Sequence, residues 1–171
     1  MTKKYAGIGS RETPEQILQL FEELAFKLGK DDWVLGTGAA TGADQAFMRG
    51  AAQSDSWMLL YLPWPGYEKE VIKKYNQHSV TIKNAGEDPF GKEMLRFHPR
   101  GSSLPNAVKK LHARNGAIIR DSRFVVCWTP DGKISGGTGQ GIRIAEYLGI
   151  EVINAGDEEG YRRITKFVNE Q

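Results

Sequence analysis

The sequence has one cysteine, three histidines, no long apolar run and almost no net charge, and each scarcity excludes something. A single thiol rules out an intrachain disulfide framework and a cysteine-rich zinc site. Cys127 lies inside the apolar run Phe124-Val125-Val126-Cys127-Trp128, so a buried, inert thiol is expected rather than a nucleophile. His78, His98 and His112 show no metal-ligand spacing such as His-x-x-x-His, so neither a metal nor another cofactor is expected. No segment approaches the roughly 18 consecutive apolar residues of a membrane span, which excludes a membrane partner of that kind. Met1-Thr2-Lys3-Lys4 runs into a strand without the apolar stretch of a signal peptide, and a cytoplasmic protein is expected. A net charge of +2, with 26% charged residues, does not suit a general polyanion clamp, although one basic face remains open.

What the chain does have is glycine, 20 among 171 residues, and much of it falls in three short clusters. The length and an apolar content of 40% suit one domain over residues 1–171 with a real core. Strands are expected at Tyr5–Ile8, Trp33–Leu35, Trp57–Leu62, Phe124–Trp128 and Glu151–Ile153, with a weak one at Val80–Ile82. Between them, amphipathic spacing predicts helices from Pro14 to Leu28, Ala43 to Gln53, Tyr67 to Tyr75, Leu104 to Ile119, Ile142 to Leu148 and from Glu158 onward. Asn84–Ser103, punctuated by Gly86, Pro89, Gly91, Pro99 and Gly101, reads as an irregular flap outside the core. This alternation predicts an α/β fold: a doubly wound, Rossmann-like domain with a mainly parallel sheet and helices on both faces.

Ligands of such sheets sit at the carboxyl ends of the strands, and all three glycine clusters fall there. Gly7-Ile8-Gly9-Ser10-Arg11 follows the first strand, and its serine hydroxyl and guanidinium suit a phosphate. Gly36-Thr37-Gly38-Ala39-Ala40-Thr41-Gly42-Ala43-Asp44 follows the second. There Gly38 and Gly42 allow close approach, and Asp44 either accepts from a ribose hydroxyl or caps the next helix. Gly136-Gly137-Thr138-Gly139-Gln140-Gly141 is read as a turn that opens a helix, with successive N–H donors and a hydroxyl for a phosphate. Trp64 and Tyr67, after the third strand, either stack on a base or cover the sheet end.

Gly9-Ser10-Arg11, Gly38-Ala39-Ala40-Thr41-Gly42-Ala43-Asp44 and Arg114-Asn115-Gly116-Ala117-Ile118-Ile119, with Gly136-Gly137 in fourth place, come in a telling order. The chain thereby resembles the SLOG superfamily, and most of all the Rossmann-like domain of DNA-processing protein A (DprA/Smf), over about residues 5 to 155. The resemblance implies a nucleotide or nucleic-acid phosphate site, adds Arg114 and Asn115 to it, and implies a homo-oligomer. Arg114 meets a phosphate or a carboxylate of its own chain, and Asn115 a base edge or its own loop. The glycine cluster also partly matches the Gly-Gly-x-Gly-Thr-x-x-Glu loop of the LOG phosphoribohydrolases, but Gln140 replaces the threonine and Arg143 the catalytic glutamate. Glu146, one turn further on, is the remaining candidate for that role.

Three functions are therefore in view. The first is binding of a nucleotide or nucleotide-derived ligand, as a sensor or sequestering protein. The second is N-glycosidic hydrolysis of a nucleoside monophosphate, which needs a carboxylate such as Glu146 or Asp44 near the anomeric carbon. The third is binding of single-stranded DNA, for which Lys109, Lys110, Arg114, Arg120 and Arg123 supply positive charge within a short stretch.

Overall fold

The structure, a computed structural model, describes residues 3–170. Six strands, β1 (Lys4–Gly7), β2 (Val34–Thr37), β3 (Met58–Leu62), β4 (Val80–Asn84), β5 (Phe124–Cys127) and β6 (Glu151–Asn154), form one sheet in the order β4-β3-β2-β1-β5-β6. Every pair is parallel. The chain winds outward from β1 through β2, β3 and β4, then returns to place β5 on the other side of β1. That reversal makes the carboxyl ends of β1 and β5 the point where the connecting loops part and leave a crevice.

Among the described residues there are seven α-helices, of which the last follows β6: α1 (Glu15–Lys30), α2 (Ala43–Gln53), the short α3 (Lys69–Ile72) and α4 (Pro89–Glu93), α5 (Asn106–Arg120), α6 (Gly136–Leu148) and α7 (Glu158–Asn169). Side chains alternate through the central strands, as the pleat requires. Tyr5, Leu35, Leu60 and Val126 face a core with Phe21, Phe47, Met48 and Ile164 from α1, α2 and α7. Ala6, Tyr61, Val125 and Cys127 face the other, with Ile118, Ile119, Ile142 and Ile144 from α5 and α6. Burial on both faces explains why the central strands read as continuous apolar runs. It also makes Cys127 inert, with its thiol pushed up to about 12 by desolvation.

Two expectations need correction. Residues 84–103 are not a flap. Asp88 accepts from the Gly91 N–H at 2.9 Å, and Pro89 follows it, which is the start signal of α4. Gly91 lies where a Cβ would stand 1.9 Å from the Ala113 carbonyl oxygen, so its role is close approach of α4 to α5 rather than a break. Met94 beyond it is 1% exposed. Likewise, Gly136–Gly141 is not a turn before a helix but the opening of α6 itself, and the connection from β5 runs from Trp128 to Ser135. Gly139 and Gly141 are helical glycines packed on Ile134 and Ile8. Among the described residues no helix is long and apolar enough to cross a membrane.

Candidate functional site

The β1–α1 loop leaves the sheet beside β5, held there by hydrogen bonds from the Ile8 N–H to the Val126 carbonyl (3.1 Å) and from the Ser10 N–H to the Trp128 carbonyl (3.3 Å). It then tightens: the Ser10 hydroxyl accepts from the Glu12 N–H at 3.0 Å, and the Thr13 hydroxyl donates to the Ser10 carbonyl at 2.5 Å. Gly9 sits where a Cβ would stand 2.5 Å from the Ala43 Cβ, so the loop rests directly on the start of α2. Gly42, at φ 96°, receives the Ser10 and Arg11 backbone from the other side. Arg11 is left exposed and in no ion pair among the described residues.

Asp44, on the first turn of α2, is buried and lines the crevice. One carboxylate oxygen accepts from the Gly38 and Ala40 N–H groups, both at 3.2 Å, so it stitches the β2–α2 loop rather than capping its own helix. Desolvation pushes its carboxyl up to about 6, against the opposing pull of Arg114 and of the Ala40, Gly38 and Gly9 N–H groups.

Arg114 reaches in from α5 and is buried. Its Nη1 donates to the carbonyls of Gly38 (2.8 Å) and Tyr61 (3.0 Å), and its Nε donates to the Asn115 side chain at 2.8 Å. The guanidinium lies over the Tyr67 ring, 5.2 Å from its centroid. A Cβ at Gly38 would stand 2.7 Å from the Arg114 Cζ, which accounts for that glycine. Arg114 thus ties the ends of β2 and β3 to α5, while its Nη2 has no hydrogen-bond partner among the described residues.

The opposite wall is the start of α6. Ser135 is its N-cap residue but makes no side-chain cap, so the N–H groups of Gly136, Gly137 and Thr138 leave the helix uncapped. Together these walls enclose a crevice of about 690 Å³ that takes in Gly9, Ser10, Arg11, Asp44, Arg114, Asn115, Gly136, Gly137 and Thr138. Gly38 and Gly42 stand behind its lining, and Gly139 faces Ile134 instead. Glu146 is exposed on α6 and is not among the residues that line the crevice. Trp64 packs edge-on against Tyr67 at 5.5 Å and is likewise no part of the lining.

The lining also holds residues that sequence reasoning missed: Glu12, Ala40, Ser135 and, above all, His112. His112 is 6% exposed, its Nδ1 is buried without a partner among the described residues, and its ring lies 4.7 Å from that of His98. Burial, then His98, Arg143 and Arg114, bring it down to about 4, so the imidazole is neutral at ordinary pH. The signal was the i, i+3, i+4, i+7 stripe Val108, Leu111, His112 and Asn115, which faces the crevice along α5. No group of three or more His, Cys, Asp or Glu placed to hold a metal occurs among the described residues.

The fold is Rossmann-like with the topology of the DprA-like proteins. The sequence itself matches no family model and no curated protein. Solved structures do match. DNA processing protein A from Helicobacter pylori, a single-stranded DNA binder, superposes over 97% of this chain and 78% of its own, with TM-score 0.65 and 21% identity. DNA processing protein A from Streptococcus pneumoniae matches over 98% of this chain and 56% of its own, with TM-score 0.64 and 19% identity. The molybdenum cofactor carrier protein from Chlamydomonas reinhardtii matches over 98% and 85%, with TM-score 0.61 and 17% identity.

Proposed function

We propose that the crevice binds the phosphate of a nucleotide or nucleotide-derived ligand, held between the start of α6 and the Ser10-Arg11 turn, and that the protein acts as a sensor or sequestering protein. One observation carries this reading. Of the 20 glycines in the chain, Gly137 alone has neither a positive φ nor a neighbour within 4 Å of where its Cβ would be. The folded chain gives it no reason to be glycine. The reason lies outside the chain, in a group that must come close to the backbone of an uncapped helix start, as an anion does. Arg11 and the free Nη2 of Arg114 supply the facing charge, and the Ser10 and Thr138 hydroxyls supply neutral donors. Neighbours of the same fold that bind single-stranded DNA or carry the molybdenum cofactor support a ligand of this class.

The test separates folding from binding. Gly137→Ala and the bulkier Gly137→Met place a side chain in open space, so they should leave stability unchanged or raise it by about 0.4–1 kcal/mol. They should weaken a nucleotide by tenfold or more in a thermal-shift and calorimetric screen. Arg11→Ala should fold equally well and bind less tightly. If Gly137→Met binds nucleotides as the wild type does, the phosphate is not at α6.

A second reading rests on Asp44, a buried carboxyl of the crevice whose proton comes off near neutrality. That is the property required of a general acid or base in N-glycosidic hydrolysis. Wild-type protein that releases free base from a nucleoside monophosphate, and an Asp44→Asn variant that binds it without release, would establish a hydrolase. No release by the wild type ends that reading and leaves binding alone.

A further inference from the structure

The arginines of this chain divide sharply. Arg49, Arg96, Arg120, Arg162 and Arg163 each sit in an ion pair with a carboxylate. Arg11, Arg100, Arg114, Arg123 and Arg143 sit in none among the described residues. Apart from Arg123, which lies just before β5, the unpaired ones gather at the crevice and along the side of it formed by α5, α6 and the segment after Met94. Arg11 and Arg114 line the crevice. Arg100 and Arg143 act on His98, and Arg143 also acts on His112, in each case opposing protonation.

The strip these groups form is built, not incidental. His112 belongs to both the crevice lining and the strip, and His98 lies against it. The Nδ1 of His98 accepts from the Arg100 N–H at 3.0 Å, which fixes that loop. On α6 the Arg143 Nε donates to the Gln140 side chain at 3.1 Å, and Gln140, fully buried, donates in turn to the Met94 carbonyl at 2.9 Å. Arg143 is therefore oriented through one nitrogen, with no carboxylate within ion-pair distance. Glu146, one turn along α6, is the acidic group among the described residues whose field acts on it. Two arginines beside a pair of histidines that they hold neutral, with no carboxylate in an ion pair among the described residues, leave positive charge unspent where an anion can be received.

We propose that this strip is a second anion subsite, with Arg143, Arg100 and the His98–His112 pair receiving the phosphodiester of a ligand whose terminal phosphate sits at the start of α6. The ligand class is a 5′-phosphorylated nucleotide linked through its 3′ side to a second unit, as in a linear dinucleotide or the end of a nucleic-acid strand. The proposal rests on the phosphate reading of the crevice and extends it. An anion seated beside the two histidines favours their protonated forms, so binding takes up protons and the contribution of the diester grows as pH falls. Facing them are Arg143 from α6, Arg100 from the loop and Arg114 from α5, with no carboxylate acting directly on either histidine.

The experiment compares three probes on the intact protein by calorimetry: thymidine 5′-monophosphate, the dinucleotide pTpT, and pTpT with a neutral methylphosphonate linkage. The last two differ only in the charge and one oxygen of the linkage, and the titrating 5′-phosphate is common to all three. The expected result is that pTpT binds on the order of tenfold tighter than its methylphosphonate counterpart, as a charge-assisted contact provides. That ratio should rise between about pH 8 and pH 5.5. Arg143→Gln and Arg100→Gln, at half-buried and exposed positions, should bring it toward unity while leaving the monophosphate affinity intact. His98→Asn should flatten its pH dependence. Monophosphate binding with equal affinities for the charged and neutral dinucleotides, or a ratio unmoved by Arg143→Gln, overturns the subsite and spares the crevice. Failure of all three probes to bind overturns both. A 5′-phosphorylated thymidine decamer tells the two sources apart: affinity beyond that of pTpT marks a strand, and equal affinity marks a dinucleotide.

Discussion

At the scale of single residues, the crevice contains two buried titratable groups whose effects on stability oppose each other. Asp44 is raised to about 6 by burial, so the folded state holds its proton longer than the unfolded chain does. Its contribution to stability therefore falls as pH rises from about 4 to 6. His112 is lowered to about 4, so the unfolded chain binds the proton more readily, and its contribution rises as pH climbs from about 4 to 6.5. Each slope approaches about 1.4 kcal/mol per pH unit, and across the shared window the two nearly cancel. We expect wild-type stability, from urea unfolding, to change little on their account between pH 4 and 6. His112→Gln should expose a loss with rising pH, and Asp44→Asn a gain. Parallel pH profiles for the two variants would show that the opposition is not there. Neither shift is legible in the sequence, because both come from burial, which no local pattern around Asp44 or His112 reports.

At the scale of elements, glycines that look alike in sequence do opposite things. Gly91 and Gly116 let α4 lie on α5: a Cβ at Gly116 would stand 2.7 Å from the Gly91 Cα, and one at Gly91 would collide with the Ala113 carbonyl. Gly91→Ala should cost about 1–3 kcal/mol through overpacking, seen as a lower melting temperature. Gly137→Ala, in an equally glycine-rich segment, should cost nothing. The extent of α2, Ala43–Gln53, is the extent expected from the sequence, and α1 buries Ile17, Phe21, Leu24, Ala25 and Leu28, the apolar positions whose helical spacing announces it. The segment from 84 to 103 is misjudged for the complementary reason. Glycine punctuates a loop and permits a close helix contact with the same letter, and only the partner, here Ala113 and Gly116, decides between them. The start of α6 fails in the same way: Gly139 and Gly141 read as part of a turn because the sequence does not show that they pack on Ile134 and Ile8.

At the scale of the whole molecule, the sheet order keeps β1 and β5 interior, each paired on both sides, and β4 at one edge, with Thr81 to Asn84 exposed along it. Amides of β1 and β5 should exchange only with global unfolding, and those of β4 markedly faster. Hydrogen exchange read by mass spectrometry or NMR checks this, and uniform protection across the sheet would contradict it. The parallel sheet, and a crevice at the carboxyl ends of its strands, were legible in the alternation of strand-like runs, glycine clusters and amphipathic helices. What was not legible is which of the named residues meet. Arg114 spends its Nε and Nη1 on Asn115, Gly38 and Tyr61 rather than on a ligand, and Glu146 is exposed on α6 and does not line the crevice. Such outcomes depend on long-range geometry that spacing within one element does not encode.

The lone cysteine, buried in β5 with its thiol held protonated, leaves the protein silent towards maleimides and other alkylating dyes under native conditions. A single new thiol introduced at the crevice, for example Glu12→Cys on the exposed side of the β1–α1 loop, would therefore carry a fluorophore at one known position without any background to remove. The chain is in this sense a ready-made optical sensor scaffold, on which the arrival and departure of a ligand become a change in light that is read directly in real time.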